Sequence, residues 1–139
     1  MIIMAVDLGQ VRTGIAYSDE GQLFAFPKTV ITERSREKLL QQVAQAAAEL
    51  RAGRIVVGLP RNMNGSAGFK AQECTEFAEK LEELSGVECV LWDERCTTVI
   101  AHRALNAANT RSKKKRAVVD AVAATLILES YLQYLKAQK

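Results

Sequence analysis

Three stretches of this 139-residue chain hold a carboxylate where an ordinary surface acid would not stand. Asp7 directly follows the apolar run Ile2-Ile3-Met4-Ala5-Val6. Asp93 and Glu94 directly follow Val90-Leu91-Trp92, and Asp120 lies inside Ala117-Val118-Val119-Asp120-Ala121-Val122-Ala123-Ala124. Each has an everyday explanation by itself. Asp7 reads as a turn or cap residue, and Asp93-Glu94 as a pair at a helix start, where negative charge is favoured. Asp120 reads as the partner of Lys115 or Arg116 in a buried ion pair. One shared pocket accounts for all three together, because a lone charge among alanines and valines is costly to bury. Two acids about 4 Å apart repel by on the order of 4 kcal/mol at an effective dielectric near ~20. Protons or a cation must relieve that repulsion. Hard oxygen ligands, with no cysteine or histidine at ligand spacing, select Mg²⁺ or Mn²⁺ over zinc. The chemistry such a cluster suits is phosphodiester hydrolysis, with one ion activating water and a second stabilising the leaving oxygen.

The charge distribution points the same way. Residues 1–92 carry 10 Lys/Arg against 12 Asp/Glu, whereas residues 93–139 carry 9 against 4. Much of the excess sits in Arg111, Lys113, Lys114, Lys115 and Arg116, one to two helical turns before Asp120. A polyanion partner and a solvated charged face are the two readings of this run. Nothing in it reads base identity, so nucleic-acid shape is the expected target. Each neutralised duplex phosphate steepens the salt dependence of log affinity by roughly 0.9.

The elements that must position these groups follow from the hydrophobic period. Residues 1–7 read as a buried strand, a second strand starts at Thr13 and ends at Ser18, and Asp19-Glu20-Gly21-Gln22 turns into a third over residues 23–31. From Ser35, a plausible N-cap, Leu39, Leu40, Val43, Ala46, Ala47 and Leu50 recur at helical spacing, with Gly53 closing the helix. A strand at residues 54–60, a helix at 67–84, a strand at 87–92, a helix at 97–107 and a final helix at 114–135 complete the chain. The expected fold class is α/β: a mixed five-stranded sheet, three strands antiparallel and two parallel, with helices on both faces. Binding sites in such sheets lie beyond the carboxyl ends of the parallel strands, where Asp7 and Asp93-Glu94 fall.

Length and composition narrow the class further. A chain of 15.3 kDa that is 48% hydrophobic and 25% charged fits one domain spanning residues 1–139. No apolar run approaches the roughly 18 residues needed to span a bilayer, and the opening residues lack the basic start of a signal peptide. The odd set Cys74, Cys89 and Cys96, without a C-x-x-C pair, argues against disulfides and zinc and for a reducing cytoplasm.

Four blocks then make the sequence recognisable. Ala5-Val6-Asp7-Leu8-Gly9, Val57-Gly58-Leu59-Pro60-Arg61-Asn62-Met63-Asn64-Gly65, Trp92-Asp93-Glu94-Arg95-Cys96-Thr97-Thr98 and Val119-Asp120-Ala121-Val122-Ala123-Ala124 occur in the order seen in the YqgF/RuvX family. The resemblance covers essentially the whole chain. It implies an RNase H-like fold and a small bacterial nuclease, described in that family as a Holliday junction resolvase and as a pre-16S rRNA nuclease. By the same resemblance Asp7, Glu94 and Asp120 are the catalytic and metal-holding acids, with Mg²⁺ or Mn²⁺ as cofactor. Side chains alternate along an extended segment, so only one of Asp93 and Glu94 joins the cluster directly, and the motif favours Glu94. The family's second block often carries an aspartate where this chain has Asn64, so Asn62, Asn64 and Gly65 are expected to shape a loop and not to hold metal.

The remaining features are weighed beside these. Asp7-Leu8-Gly9-Gln10-Val11-Arg12-Thr13-Gly14 also resembles the phosphate loop of actin-like ATPases and sugar kinases, which need two such domains around the nucleotide. Arg12 is read as a phosphate contact or a turn arginine, and Arg95 as a substrate contact or a structural ion pair. With Lys113, Lys114, Lys115 and Arg116 they form the candidate substrate-binding set. Thr97 and Thr98 read as helix caps, His102 as a helix-face residue, Trp92 as core and the cysteines as small hydrophobes. Three functions stay open: a nuclease of structured precursor rRNA, a resolvase of branched DNA acting as a two-fold dimer, and a non-catalytic nucleic-acid-binding domain. A monomer or weak homodimer without membrane attachment is expected.

Overall fold

The computed structural model describes residues 1–59, 66–93 and 113–138. Strands β1 (Ile2–Asp7), β2 (Arg12–Ser18) and β3 (Ala25–Thr32) precede helix α1 (Arg36–Leu50). Then follow β4 (Ala52–Leu59), α2 (Ser66–Ser85), β5 (Glu88–Asp93) and the long α3 (Lys113–Ala137). The expected helix at 97–107 and the 60–65 loop with Asn62, Asn64 and Gly65 lie outside the described residues.

The sheet has the order β3-β2-β1-β4-β5. The first three strands are antiparallel neighbours, and β4 and β5 run parallel to β1. This is the mixed sheet read from the change of period after residue 35. Alternation along β1 splits the core into two layers. Met4, Val6 and Leu8 pack with Ile15, Ile55 and Val57 against Leu39 and Val43 of α1 and Phe77 and Leu81 of α2. Ile3 and Ala5 face the other way, with Ala16 and Val56, against Ala124, Ile127, Leu128, Tyr131 and Leu132 of α3. Buried on both faces, β1 is apolar at nearly every position.

Two boundaries differ from the sequence expectation for identifiable reasons, and β3 carries an irregularity of its own. Gly53 does not close α1. Arg51 takes the left-handed conformation (φ 56°), its N–H returning to the carbonyls of Ala47 and Ala48, and Gly53 lies within β4. Leu23 and Phe24 are not strand residues, because the Asp19 carboxylate binds the loop first. Its Oδ1 accepts from the amides of Leu23 (2.9 Å) and Phe24 (2.8 Å), and its Oδ2 from Gly21 (3.2 Å). The Phe24 amide foremost holds the Asp19 carboxyl below its ordinary pKa. In β3, register shifts opposite Ile15 and Ala16, so that Lys28 is skipped and Ala16 pairs with Pro27.

Ser35 is the N-cap of α1, its Oγ accepting from the Lys38 amide at 3.3 Å while its own N–H donates to Glu33 Oε2 at 3.1 Å. Ser35→Ala is expected to lower the stability of the domain by about 1 kcal/mol. Urea denaturation followed by circular dichroism measures this, and an unchanged midpoint would show that the cap contributes nothing.

Candidate active site at the carboxyl end of the central strand

Asp7 is the last residue of β1, the middle strand, half-buried at its carboxyl end. By alternation it shares the α3 side of the sheet with Ile3 and Ala5. Its neighbours across the sheet are glycines. Gly14 of β2 is its direct partner, and Gly58 of β4 follows Val57, the partner of Val6. The sheet surface beside Asp7 therefore carries no side chain on either flanking strand. Beyond Gly58, its register partner Trp92 stands one residue before Asp93, the last residue of β5, which itself pairs with Leu59. The ends of β1, β4 and β5 thus share one edge, as the parallel half of the sheet requires.

The turn that leaves Asp7 is tied down at several points. The Gly9 amide donates to Thr13 Oγ1 (3.4 Å), and Thr13 is fully buried. The Gly9 carbonyl accepts from Arg36 Nη1 (2.8 Å), and Arg36 also reaches Glu73 of α2 (3.9 Å). The backbone closes so tightly that a Cβ on Gly9 would collide with the carbonyl oxygen of Arg12. Arg12 itself begins β2 two residues from the partner of Asp7, so it belongs to the same end of the sheet.

Helix α3 crosses the same face of the sheet. Tyr131 reaches Arg54 near the start of β4 (Nη1 to OH, 2.9 Å), and Leu132 and Lys136 lie against the residues that start β3. The helix therefore runs from the carboxyl edge towards the opposite edge. Eleven residues separate Tyr131 from Asp120, about 16 Å of rise, while Ile3, the partner of Arg54, stands four residues or about 13 Å below Asp7. The backbone at 120 thus reaches the level of the end of β1. Lys113, Lys114, Lys115 and Arg116 form the first turn of α3, where the helix dipole is positive.

Of the residues singled out from sequence, Glu94, Arg95, Cys96, Thr97, Thr98 and His102 lie outside the described residues. Among the described residues no three His, Cys, Asp or Glu side chains form a metal-sized group. Trp92 packs against the α3 layer, as expected of a core residue. Cys74 is buried and Cys89 half-buried, both as free thiols. Burial, followed by the nearby Glu82 and Glu88, pushes the Cys89 thiol up to about 12. It is therefore a packing group at neutral pH. Arg36 and Thr13 were not anticipated as shapers of the Asp7 turn. No spacing rule links Arg36 to a carbonyl 27 residues away.

Arg36→Ala frees the Gly9 carbonyl, and cleavage by the protein is expected to fall by roughly tenfold, the scale of a modest misplacement of a reacting group. Rates measured beside the melting temperature decide this: a normal rate would show that Arg36 does not position the turn.

An acid at the end of a central strand, a three-antiparallel, two-parallel sheet and a helix crossing one face together define an RNase H-like domain of the RuvC kind. The structure is similar to Thermus thermophilus RuvC in complex with a Holliday junction (TM-score 0.63, 12% identity, 96% of each chain covered). It is also similar to the fowlpox virus Holliday junction resolvase (TM-score 0.57, 13% identity, 96% of this chain and 99% of that one). At such identities the likeness is one of fold. The chain belongs to the RuvX family, described as Holliday junction resolvase, whose model matches residues 1–134. A relative from Protochlamydia amoebophila is 42% identical over 137 residues (94% of this chain, 91% of the relative). One from Carboxydothermus hydrogenoformans is 39% identical over 134 residues (96% and 97%). Both are provisionally named pre-16S rRNA nuclease, so this is a nuclease family.

Proposed function

We propose that the protein hydrolyses phosphodiester bonds of structured nucleic acid with a hard divalent ion, and that its substrate is the precursor of 16S rRNA in the cytoplasm. The observation that supports the chemistry is the position of Asp7, at the carboxyl end of the central strand between two glycines. The choice of RNA rests on the full-length relatives named for that substrate.

The donor set fits Mg²⁺ or Mn²⁺. Asp7, Glu94 and Asp120 offer only hard oxygens, and Cys89, held protonated to about pH 12, is no competing thiolate at neutral pH. These three acids would hold the ion, which when bound supplies Lewis acidity towards the phosphoryl oxygens. The chain's own residues do the rest. Arg36 and Thr13 fix the turn after Asp7, and Gly14 and Gly58 leave room for a substrate backbone against the sheet. Lys113, Lys114, Lys115 and Arg116 draw phosphates towards the start of α3, with Arg12 and Arg95 as further anion contacts.

Purified protein incubated with precursor 16S RNA, in Mg²⁺, in Mn²⁺ and in EDTA, tests the reading, with Asp120→Asn in parallel. Ion-dependent cleavage lost in the variant is the expected result. Cleavage confined to four-way DNA junctions would move the substrate to the one in the family's description. A protein that binds both and cuts neither would be a binding module.

A further inference from the structure

At the end of the sheet away from Asp7, two large apolar side chains stand in solvent on a stiff support. Leu23 is 57% exposed and Phe24 is 64% exposed, both in the loop that leads into β3. That loop is tied at several points. The Asp19 carboxylate holds the amides of Leu23 and Phe24, and the Asp19 amide donates to the Phe24 carbonyl (3.3 Å). The amino terminus of the chain donates to the Glu20 carbonyl (3.0 Å). A loop held in this way presents its side chains in one arrangement, so little ordering entropy is lost when a partner covers them. Exposed apolar groups gathered at one place mark a contact surface.

Beside the loop runs the last part of α3. A cavity of about 270 Å³ lies between the two, lined by the buried Leu132 and by Glu129, Gln133 and Lys136. These three polar residues, spaced four and three apart, form one stripe of the helix. The stripe begins with a negative charge and ends with a positive one, two turns or about 10 Å further on. Neither Glu129 nor Lys136 has an ion-pair partner among the described residues.

Such a stripe is complementary to itself run backwards. A two-fold axis close to Gln133 sets Glu129 of each copy opposite Lys136 of the other. It also sets the two Gln133 amides together, each of which is both donor and acceptor. The same rotation carries Leu23 and Phe24 of each copy over the groove of the other. We infer that this groove is a self-association face, through which two copies of the chain join in a closed two-fold pair by α3 and the 19–24 loop. Both Asp7 sites stay outside the contact, at the opposite edge of each sheet. So few side chains fall short of the roughly 20–30 residues a side of a stable interface. The pair is therefore reversible and forms only at high micromolar concentration.

Sedimentation velocity of the full chain, from about 1 μM to about 1 mM, tests this. Wild type is expected to pass from monomer to dimer across that range. Phe24→Ser, Glu129→Lys and Lys136→Glu should each associate roughly tenfold more weakly, because the axis makes every change count twice. Mixing Glu129→Lys protein with Lys136→Glu protein should restore dimers, since each contact across the axis then joins opposite charges. The double reversal in one chain should restore them too. Melting temperatures show which variants are folded, and if Phe24→Ser is not, the mixing experiment decides alone. A wild type that stays monomeric, dimers indifferent to Phe24, or reversals that mixing does not rescue would each overturn the pair. Monomers that bind anionic vesicles through Phe24 would give the patch to a lipid surface and overturn it as well. No nucleic acid enters the experiment, so none of these outcomes bears on the nuclease reading.

Discussion

Asp7→Asn is expected to yield a folded protein that still binds nucleic acid and cleaves it roughly a hundredfold more slowly or worse. On the proposed metal-dependent reading, the size follows from what a bound divalent ion would contribute, several kcal/mol of transition-state stabilisation, at about 1.4 kcal/mol for each tenfold in rate. Asparagine keeps the shape of the side chain and one oxygen but removes the charge that makes a divalent ion favourable. Because Asp7 is the last residue of β1 and not one of its packed interior positions, the core layers should be undisturbed. Three measurements separate the causes: melting temperature, binding in EDTA and cleavage in Mg²⁺. A variant that cuts at the wild-type rate would remove Asp7 from the reaction. One that no longer folds would make it a structural residue.

Gly9→Ala is expected to have the second-largest effect, through the backbone and not through charge. The added methyl would meet the carbonyl oxygen of Arg12, an atom that cannot rotate away as a side chain would. To admit it the turn must open, which strains the Gly9 amide contact to Thr13 and the Arg36 bond to the Gly9 carbonyl. Overpacking of this kind costs about 1–3 kcal/mol, and displacement of Asp7 by about 1 Å is worth up to roughly a hundredfold in rate. Denaturant unfolding and cleavage assays should therefore both move. Stability lost with activity intact would mean that the turn does not set the position of Asp7.

Much of this was legible before any coordinates, for physical reasons. A strand buried on both faces must be apolar throughout, so an acid at its end stands out, and Asp7 was found that way. The change from alternating to helical spacing near Ser35 carried the topology, because crossover helices are what parallel strands require. That topology places Asp7 and Asp93 on one edge of the sheet. What escaped depends on contacts between distant residues or on unusual backbone conformations. Nothing local marks Arg51, rather than Gly53, for the left-handed cap. Leu23 and Phe24 look like strand residues until the Asp19 carboxylate is seen holding their amides. The links from Arg36 to Gly9 and from Arg54 to Tyr131 join residues far apart in sequence and leave no periodic trace. Trp92 was rightly read as packed. That reading had no means of showing that Tyr134, 42 positions later, would lie against it with a bare outer face.

The irregular pairing of β3 has a consequence outside the reaction. Its outer flank ends the sheet, and a flank of that kind invites strands from other molecules to add to it. Pro27 supplies no amide hydrogen to the strand, and the skipped Lys28, whose Nζ pairs with Glu49 of α1 at 3.7 Å, breaks the rhythm of donors and acceptors. The sheet is thus blunted on that side against runaway growth into fibrils, a protection written into two adjoining residues that take no part in catalysis.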